Sequence, residues 1–327
     1  MKLRSGGWLG IQRGYRNMKS LKIAWWNSSL APPTRPFRAD KIYKETARLI
    51  INDLINVEKV DFIGLCEVNQ DTIDFIQDEI LPNNYSIQHN FEGISRINHN
   101  FDICVIYNHS RLDYCSENQE NISVIRNGNT KKIAQRYDFS FGSDQDVDEF
   151  SFFLSHWPSL TTNGFITQAE HDFYAHNLAG ELEKIRRKSE SPKIILMGDY
   201  NLQPFDMAMT TVLNSTKDKF SCVKEENSIL LFNPFWRFLS DKAFYNINNK
   251  VIDSISGSYY YHQDKMDRWK QFDQILFSNA MLGKSEWHFN EEKTKIFLNE
   301  SSDYLAKLKS NELKFDHFPI ICEFERD

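Results

Sequence analysis

The sequence has 327 residues, enough chain to bury a large core in one big domain or two ordinary ones. Hydrophobic residues make up 41% and charged residues 26%, as in globular proteins, and no run reaches the roughly 18 apolar residues that a membrane-spanning helix needs. A formal net charge of −6 excludes a protein that coats nucleic acid through a global positive field, although a local basic rim or a bound divalent cation still admits a polyanionic substrate.

In chain order, residues 1–20 carry Lys2, Arg4, Arg13, Arg16 and Lys19 but no apolar stretch. They are expected to form a flexible basic tail, not a secretory signal. A single domain is expected over 21–327. Residues 21–26 are a short apolar strand ending at Asn27. The prolines at 32, 33 and 36 force a loop. Apolar residues at 43, 47, 50, 51 and 54 recur at helical spacing, predicting a helix over 39–56. A buried strand over 60–65 ends at Cys66-Glu67, and a short helix over 71–80 follows. Residues 85–89 and 102–107 read as strands. Residues 121–126 and 132–141 read as an antiparallel pair turning at Asn127-Gly128-Asn129.

A buried strand over 150–155 ends at His156. Thr167 and Glu170 have capping-box spacing and open a helix whose stripe is Ala175, Leu178, Ala179, Leu182 and Ile185. The apolar run from Lys193 to Met197 predicts a strand that stops at Gly198. Residues 205–214 suggest a short helix, and the signal is weak from there to 261. The last clear strands cover 272–277 and 318–324. The five cysteines form no CxxC pair, and those at 66, 104 and 322 lie in apolar runs, which points to a reducing, cytoplasmic compartment. Alternating strands and helices with hairpins between them predict an α/β domain with a layered core.

The strand ends share a property. Asn27, Glu67, His156, Asp199 with Asn201, and Asp316-His317 each stand at the end or start of an apolar strand, and Asp273 stands at the entry of another. Taken singly each has a bland reading. Gly-Asp-x-Asn is good turn chemistry, a glutamate after an apolar run is usually solvated, and a histidine is usually a satisfied surface or core residue. Their recurrence at equivalent places argues for one site, because polar groups at strand ends are where α/β proteins place ligands.

Trp26-Asn27, Leu65-Cys66-Glu67, Ser155-His156, Gly198-Asp199-Tyr200-Asn201, Phe272-Asp273-Gln274 and Asp316-His317-Phe318-Pro319 run in the order found in the endonuclease/exonuclease/phosphatase superfamily. The chain resembles those metal-dependent phosphoesterases from residue 21 to 324. The resemblance implies the DNase I-like fold: a four-layered α/β/β/α sandwich of two mixed sheets flanked by helices. It implies Mg²⁺, with Mn²⁺ as a substitute, held by Glu67 with Asn27 and Asp316. It implies Asp199 as general base or water-positioning group, Asn201 as a donor to a phosphoryl oxygen, His317 and His156 at the phosphate, and Asp273 behind His317. The expected reaction is in-line attack by water. Tyr200 departs from the usual phenylalanine, and Phe315 stands where a serine or threonine usually precedes Asp316.

The substrate is less legible. Arg136 opens a strand from which some members contact phosphate, or is an ordinary surface arginine. Trp157 stacks on a base, or packs. Arg268 lies in the basic stretch Lys265-Met266-Asp267-Arg268-Trp269-Lys270 just ahead of Asp273, a candidate for backbone contacts to nucleic acid. Aromatic pieces at 235–237 and 259–261 are expected near the same rim. The first expectation is a nuclease acting on DNA or RNA, without membrane insertion. The others are a phosphoesterase on a lipid headgroup, inositol phosphate or small nucleotide, and a non-catalytic binding module.

Overall fold

A computed structural model describes residues 20–91, 101–143, 146–159, 168–240, 255–298 and 315–327, with residues 306, 310 and 312. The expected basic tail at 1–19 and the capping threonine Thr167 lie outside the described residues.

The first half comprises β1 (Ser20–Asn27), α1 (Lys41–Asn56), β2 (Phe62–Cys66), α2 (Gln70–Glu79), β3 (Tyr85–His89) and β4 (Ile103–Asn108). The long hairpin β5 (Leu112–Arg126) and β6 (Asn129–Ser143) follows, then β7 (Asp146–His156) and α3 (Gln168–Arg186). The second half comprises β8 (Lys193–Asp199), β9 (Ser215–Thr216), α4 (Lys219–Lys224), β10 (Leu231–Phe232), β11 (Tyr259–Tyr260), β12 (Trp269–Lys270), β13 (Asp273–Phe277), β14 (Trp287–Ile296) and β15 (Ile320–Arg326).

Local chemistry starts the helices. Asp40 caps α1 by accepting from the Tyr43 N–H, and Asn69 and Thr72 form a reciprocal capping box at α2. The expected helix over 205–214 is one π-helical turn, Ala208–Val212.

Two mixed sheets stack. One runs β14-β15-β1-β2-β4-β3, the other β5-β6-β7-β8-β13-β10-β9. Period-two alternation sorts each strand's residues between layers. In β1, Leu21, Ile23 and Trp25 face the space between the sheets, against Phe139, Phe152 and Ile275 among others. Ala24 and Trp26 face the other way, into a layer with Tyr43, Ile50 and Leu54 of α1 and Ile73 and Ile76 of α2. Tyr174, Ala175, Leu178 and Leu182 of α3 cover the outer face of the second sheet over Phe153, Ile194 and Leu196. These three apolar interfaces make the expected four-layered α/β/β/α sandwich.

Two expectations are corrected. The strand over 193–197 does not stop at Gly198 but runs on through Asp199, with Gly198 paired to Gln274 and Ser155. Gly198 is there for close approach, since a Cβ at this position would lie 2.4 Å from the Ser155 carbonyl oxygen. The aromatic piece at 235–237 is not a rim loop as a whole, because Phe235 is fully buried between the sheets.

Candidate active site

Sheet register brings the polar strand ends together. β1 and β2 are parallel, so Asn27 lies beside Cys66 and Glu67 follows at the same edge. β4 runs antiparallel to β2 with Ile103 opposite Cys66, so Asp102 enters at that end too. β7 and β8 are parallel, with His156 opposite Asp199, and antiparallel β13 sets Asp273 opposite Asp199 from the other side. β15 begins opposite Trp25, which leaves Asp316 and His317 just ahead of it at the same end of the sandwich. Parallel pairs contribute their carboxyl ends and antiparallel partners their amino ends, so one edge collects every candidate catalytic and metal-binding residue.

Asp199 is almost fully enclosed, 1% exposed. Its Oδ2 accepts from Asn27 Nδ2 at 3.0 Å and its Oδ1 from the Asn201 backbone N–H at 3.0 Å. His317 Nε2 lies 3.6 Å from Oδ2. Burial raises the Asp199 carboxyl above its ordinary value; His317 opposes this and Asp273 adds to it. A carboxylate so placed is fixed in direction and made more basic.

Behind His317 stands Asp273. Its Oδ2 accepts from His317 Nδ1 at 2.7 Å and from Ser258 Oγ at 2.7 Å, and its Oδ1 accepts from Trp25 Nε1 at 3.0 Å. This fixes the imidazole with Nε2 toward Asp199. A second pair mirrors the first: His156 Nδ1 and Asp102 Oδ2 lie 2.8 Å apart, and His156 Nε2 is 3.8 Å from Glu67. Burial lowers both histidines, but the partner carboxylates overcome it, raising His156 to about 9 and His317 to about 10. Burial pushes Asp102 up, yet His156 and Lys132 outweigh it and hold the carboxyl well below the usual range. Both raised values favour the imidazolium form at neutral pH, with Nε2 of His317 toward Asp199 and that of His156 toward Glu67.

Glu67 and Asn201 have left-handed backbones, with φ of 57° and 50°. Such conformations cost non-glycine residues on the order of 1–3 kcal/mol each and cluster where function requires a side chain to be aimed. Burial raises Glu67 to about 7; His156 opposes the shift and Asp316 adds to it. Glu67, with the Asp316 carboxylate close enough to act on its charge, could offer oxygen ligands to a hard divalent cation. Asp316 accepts from Ser29 Oγ at 3.1 Å. Asn27 Oδ1 accepts from the Ser29 N–H while its Nδ2 holds Asp199, so Asn27 ties the Glu67–Asp316 corner to Asp199. Donor atoms of Asp199, Asp273 and His317 also lie within 4.8 Å of one another, a second cluster that could hold a metal ion. The three donors already on Asp273 make that cluster the weaker of the two.

The sequence-derived assignments divide. Asn27, Glu67, His156, Asp199, Asn201, Asp273, Asp316 and His317 converge. Asn201 does so with its amide partly committed, since Nδ2 donates to the Trp157 carbonyl at 2.8 Å and leaves one N–H for a substrate oxygen. Trp157 is fully buried against Tyr174 and Tyr200, with Nε1 donating to the Ile133 carbonyl; it packs and does not stack on substrate. Arg136 pairs with Asp138 and lines a cavity with Glu181, Lys184 and Ile185 under α3, on the outer face of its sheet, so it does not reach the site. Arg268 is exposed on the β11–β12 ribbon, whose Tyr259 touches His317 with ring centroids 4.6 Å apart. Asp102 was the missed member, although it obeys the same strand-end rule as the others. Phe315 stacks on Tyr43 at 4.0 Å and tilts against Trp26, an aromatic anchor for the loop that carries Asp316 and His317.

The family model for the endonuclease/exonuclease/phosphatase family matches residues 36–323. The chain belongs to this family. Its members are hydrolytic phosphoesterases and are generally dependent on divalent metal ions. No curated protein matches the sequence significantly. Solved structures of the family share the fold. The human Nocturnin catalytic domain with bound sulfate is 13% identical, with a TM-score of 0.57 over 94% of this chain and 95% of that one. TDP2 from D. rerio, complexed with a single-stranded DNA product, is 15% identical with a TM-score of 0.56 over 93% and 98%. A mannosyl-6-phosphatase from Bacteroides thetaiotaomicron is 14% identical with a TM-score of 0.52 over 93% and 99%.

Proposed function

We propose that the protein is a Mg²⁺-dependent phosphodiesterase acting on DNA or RNA. The carrying observation is Asp199 held between Asn27, the Asn201 N–H and the Asp273-backed His317, with a second carboxylate-backed imidazole, His156, turned toward the neighbouring Glu67. A phosphodiester resists attack because its oxygens are negative and its leaving oxygen is poor. Asp199 orients a water and takes its proton. His317 and His156 donate from Nε2 to the phosphoryl oxygens as charge builds there, and the free amide N–H of Asn201 adds another donor. Asp273 and Asp102 hold the two rings in place. Glu67 and Asp316, with Asn27, would hold Mg²⁺, which lowers the charge on the phosphate when bound; Mn²⁺ offers similar chemistry. The geometry favours direct attack by water, because no serine or cysteine nucleophile stands beside Asp199 among its described contacts.

The relatives' names bracket the substrate between nucleic acid and a sugar phosphate. The aromatic and basic ribbon beside His317 favours nucleic acid. No described helix is long and apolar enough to cross a membrane, and all five cysteines are free, which fits a reducing compartment such as the cytoplasm. The test is incubation with plasmid, oligonucleotides, mannose 6-phosphate and bis-p-nitrophenyl phosphate, with Mg²⁺ or with EDTA. Nucleic acid cleavage abolished by EDTA is expected; turnover of the sugar phosphate alone would replace the nuclease reading.

A further inference from the structure

The β11–β12 ribbon has a construction that the catalytic residues do not require. Its residues alternate between two faces. Tyr260 and Trp269 form a cross-strand pair with rings 4.7 Å apart, and Trp269 faces inward onto Phe318. The other face therefore carries Tyr259 with its partner Lys270, and Tyr261 with Arg268, whose carbonyl accepts from the Tyr261 N–H. On this face the aromatic rings form a ladder. Tyr259 lies 5.3 Å from Phe272 at 24° and 4.6 Å from His317, and Tyr261 continues outward, 6.4 Å from Tyr259 and nearly parallel at 14°. The ribbon is held close to the preceding chain, because a Cβ on Gly257 would lie 2.4 Å from the Lys270 carbonyl oxygen. Tyr261 is 39% exposed, with the His262 ring edge-on at 6.1 Å and its hydroxyl donating to Gln263 Oε1 at 2.9 Å, so the ladder ends on a ring still partly open to solvent. Lys270 is engaged by Asp267 and Asp264, while Arg268 is exposed beside Tyr261.

An open ring at the end of a stack accepts another flat, apolar ring. The net charge of −6 gives no long-range pull on a polyphosphate, so attraction has to come from such faces together with a few local cations. Bases inside a duplex have both faces covered by their neighbours, whereas unpaired bases have them free. Arg268 stands within one ribbon step of Tyr261, placed for the phosphate that adjoins a stacked base.

The geometry points to single-stranded nucleic acid as the substrate, with an unpaired base near the scissile phosphate stacked on Tyr261 and its adjoining phosphate held by Arg268. This rests on the nuclease reading above and narrows it. The experiment compares kcat/KM of the full chain, with Mg²⁺, on a single-stranded DNA, a single-stranded RNA and the matching duplexes. It is repeated for Tyr261→Ala, Tyr261→Phe and Arg268→Ala, with thermal melting to confirm folding. Single strands are expected to be preferred tenfold or more. Tyr261→Ala should lower kcat/KM on them about tenfold, mainly through KM, with Tyr261→Phe restoring it. Arg268→Ala should flatten the salt dependence by about one phosphate contact. Equal turnover of duplex and single strand, or an unchanged KM in Tyr261→Ala, overturns this inference and leaves the nuclease reading standing. Turnover of bis-p-nitrophenyl phosphate or mannose 6-phosphate with no cleavage of any nucleic acid overturns both.

Discussion

At the scale of single residues, the site is a set of carboxylates and imidazoles that set one another's direction and charge. Asp199→Asn keeps the volume and removes the base. It should cost on the order of 10³-fold or more in kcat while the fold persists. Asp102 is a positioning residue, and its replacement tests the second histidine pair. Asp102→Asn should lower kcat roughly 10²-fold and move the alkaline limb of the pH profile downward, since His156 then loses the carboxylate that keeps it protonated. A merely structural role for Asp102 would shift neither limb. The same charges reach into stability. His156 and His317 titrate at about 9 and about 10 in the folded protein, above the usual histidine value near 6.5. The stability that these raised values contribute is full below the unfolded value and is lost as pH rises through the folded ones. In EDTA, Tm should therefore fall between pH 7 and pH 10, and fall less in a His156→Gln/His317→Gln protein. An equal fall in both proteins would deny the assigned protonation.

At the scale of elements, close packing between strands places the groups. Gly198→Ala would push a Cβ into the Ser155 carbonyl, a backbone atom that cannot turn aside. The strained β7–β8 pair should cost about 1–3 kcal/mol in denaturant unfolding, and activity should drop with it because Asp199 is the next residue. Legibility also divides by element. Strands buried on both faces, such as Phe62–Cys66 and Lys193–Asp199, are continuous apolar runs and stand out in the sequence. Trp287–Ile296 was missed because it is a bulged strand beside β15 whose sequence, with Asn290, Glu291, Glu292 and Lys293, reads as a polar surface loop. Trp157 and Arg136 show the limit at the site. A tryptophan after a catalytic histidine reads equally as platform or packing, and only the layers show that it turns inward under Tyr174. Asp102 is hard to single out in the sequence because it stands just ahead of a strand that is marked only by its apolar residues.

At the scale of the whole molecule, two sheets and their helices form a frame whose one edge gathers nine polar residues from across the sequence, Asp102 among them. The order of the motifs along the chain is visible in the sequence; their convergence is a property of register, which combines parallel with antiparallel neighbours in each sheet. Buried carboxylates at that edge, with Glu67 raised to about 7, should make the fold respond to divalent cations. Saturating Mg²⁺ is expected to raise Tm, and Glu67→Gln to remove the response, because a ligand that binds only the folded state stabilises it. The measurement that tests the central claim most directly is hydrolysis of bis-p-nitrophenyl phosphate by the wild type and by Asp199→Asn, each with Mg²⁺ and with EDTA. The account predicts turnover by the wild type that EDTA abolishes, and a loss of about 10³-fold or more in the variant. An Asp199→Asn protein that hydrolyses the diester at the wild-type rate would contradict it.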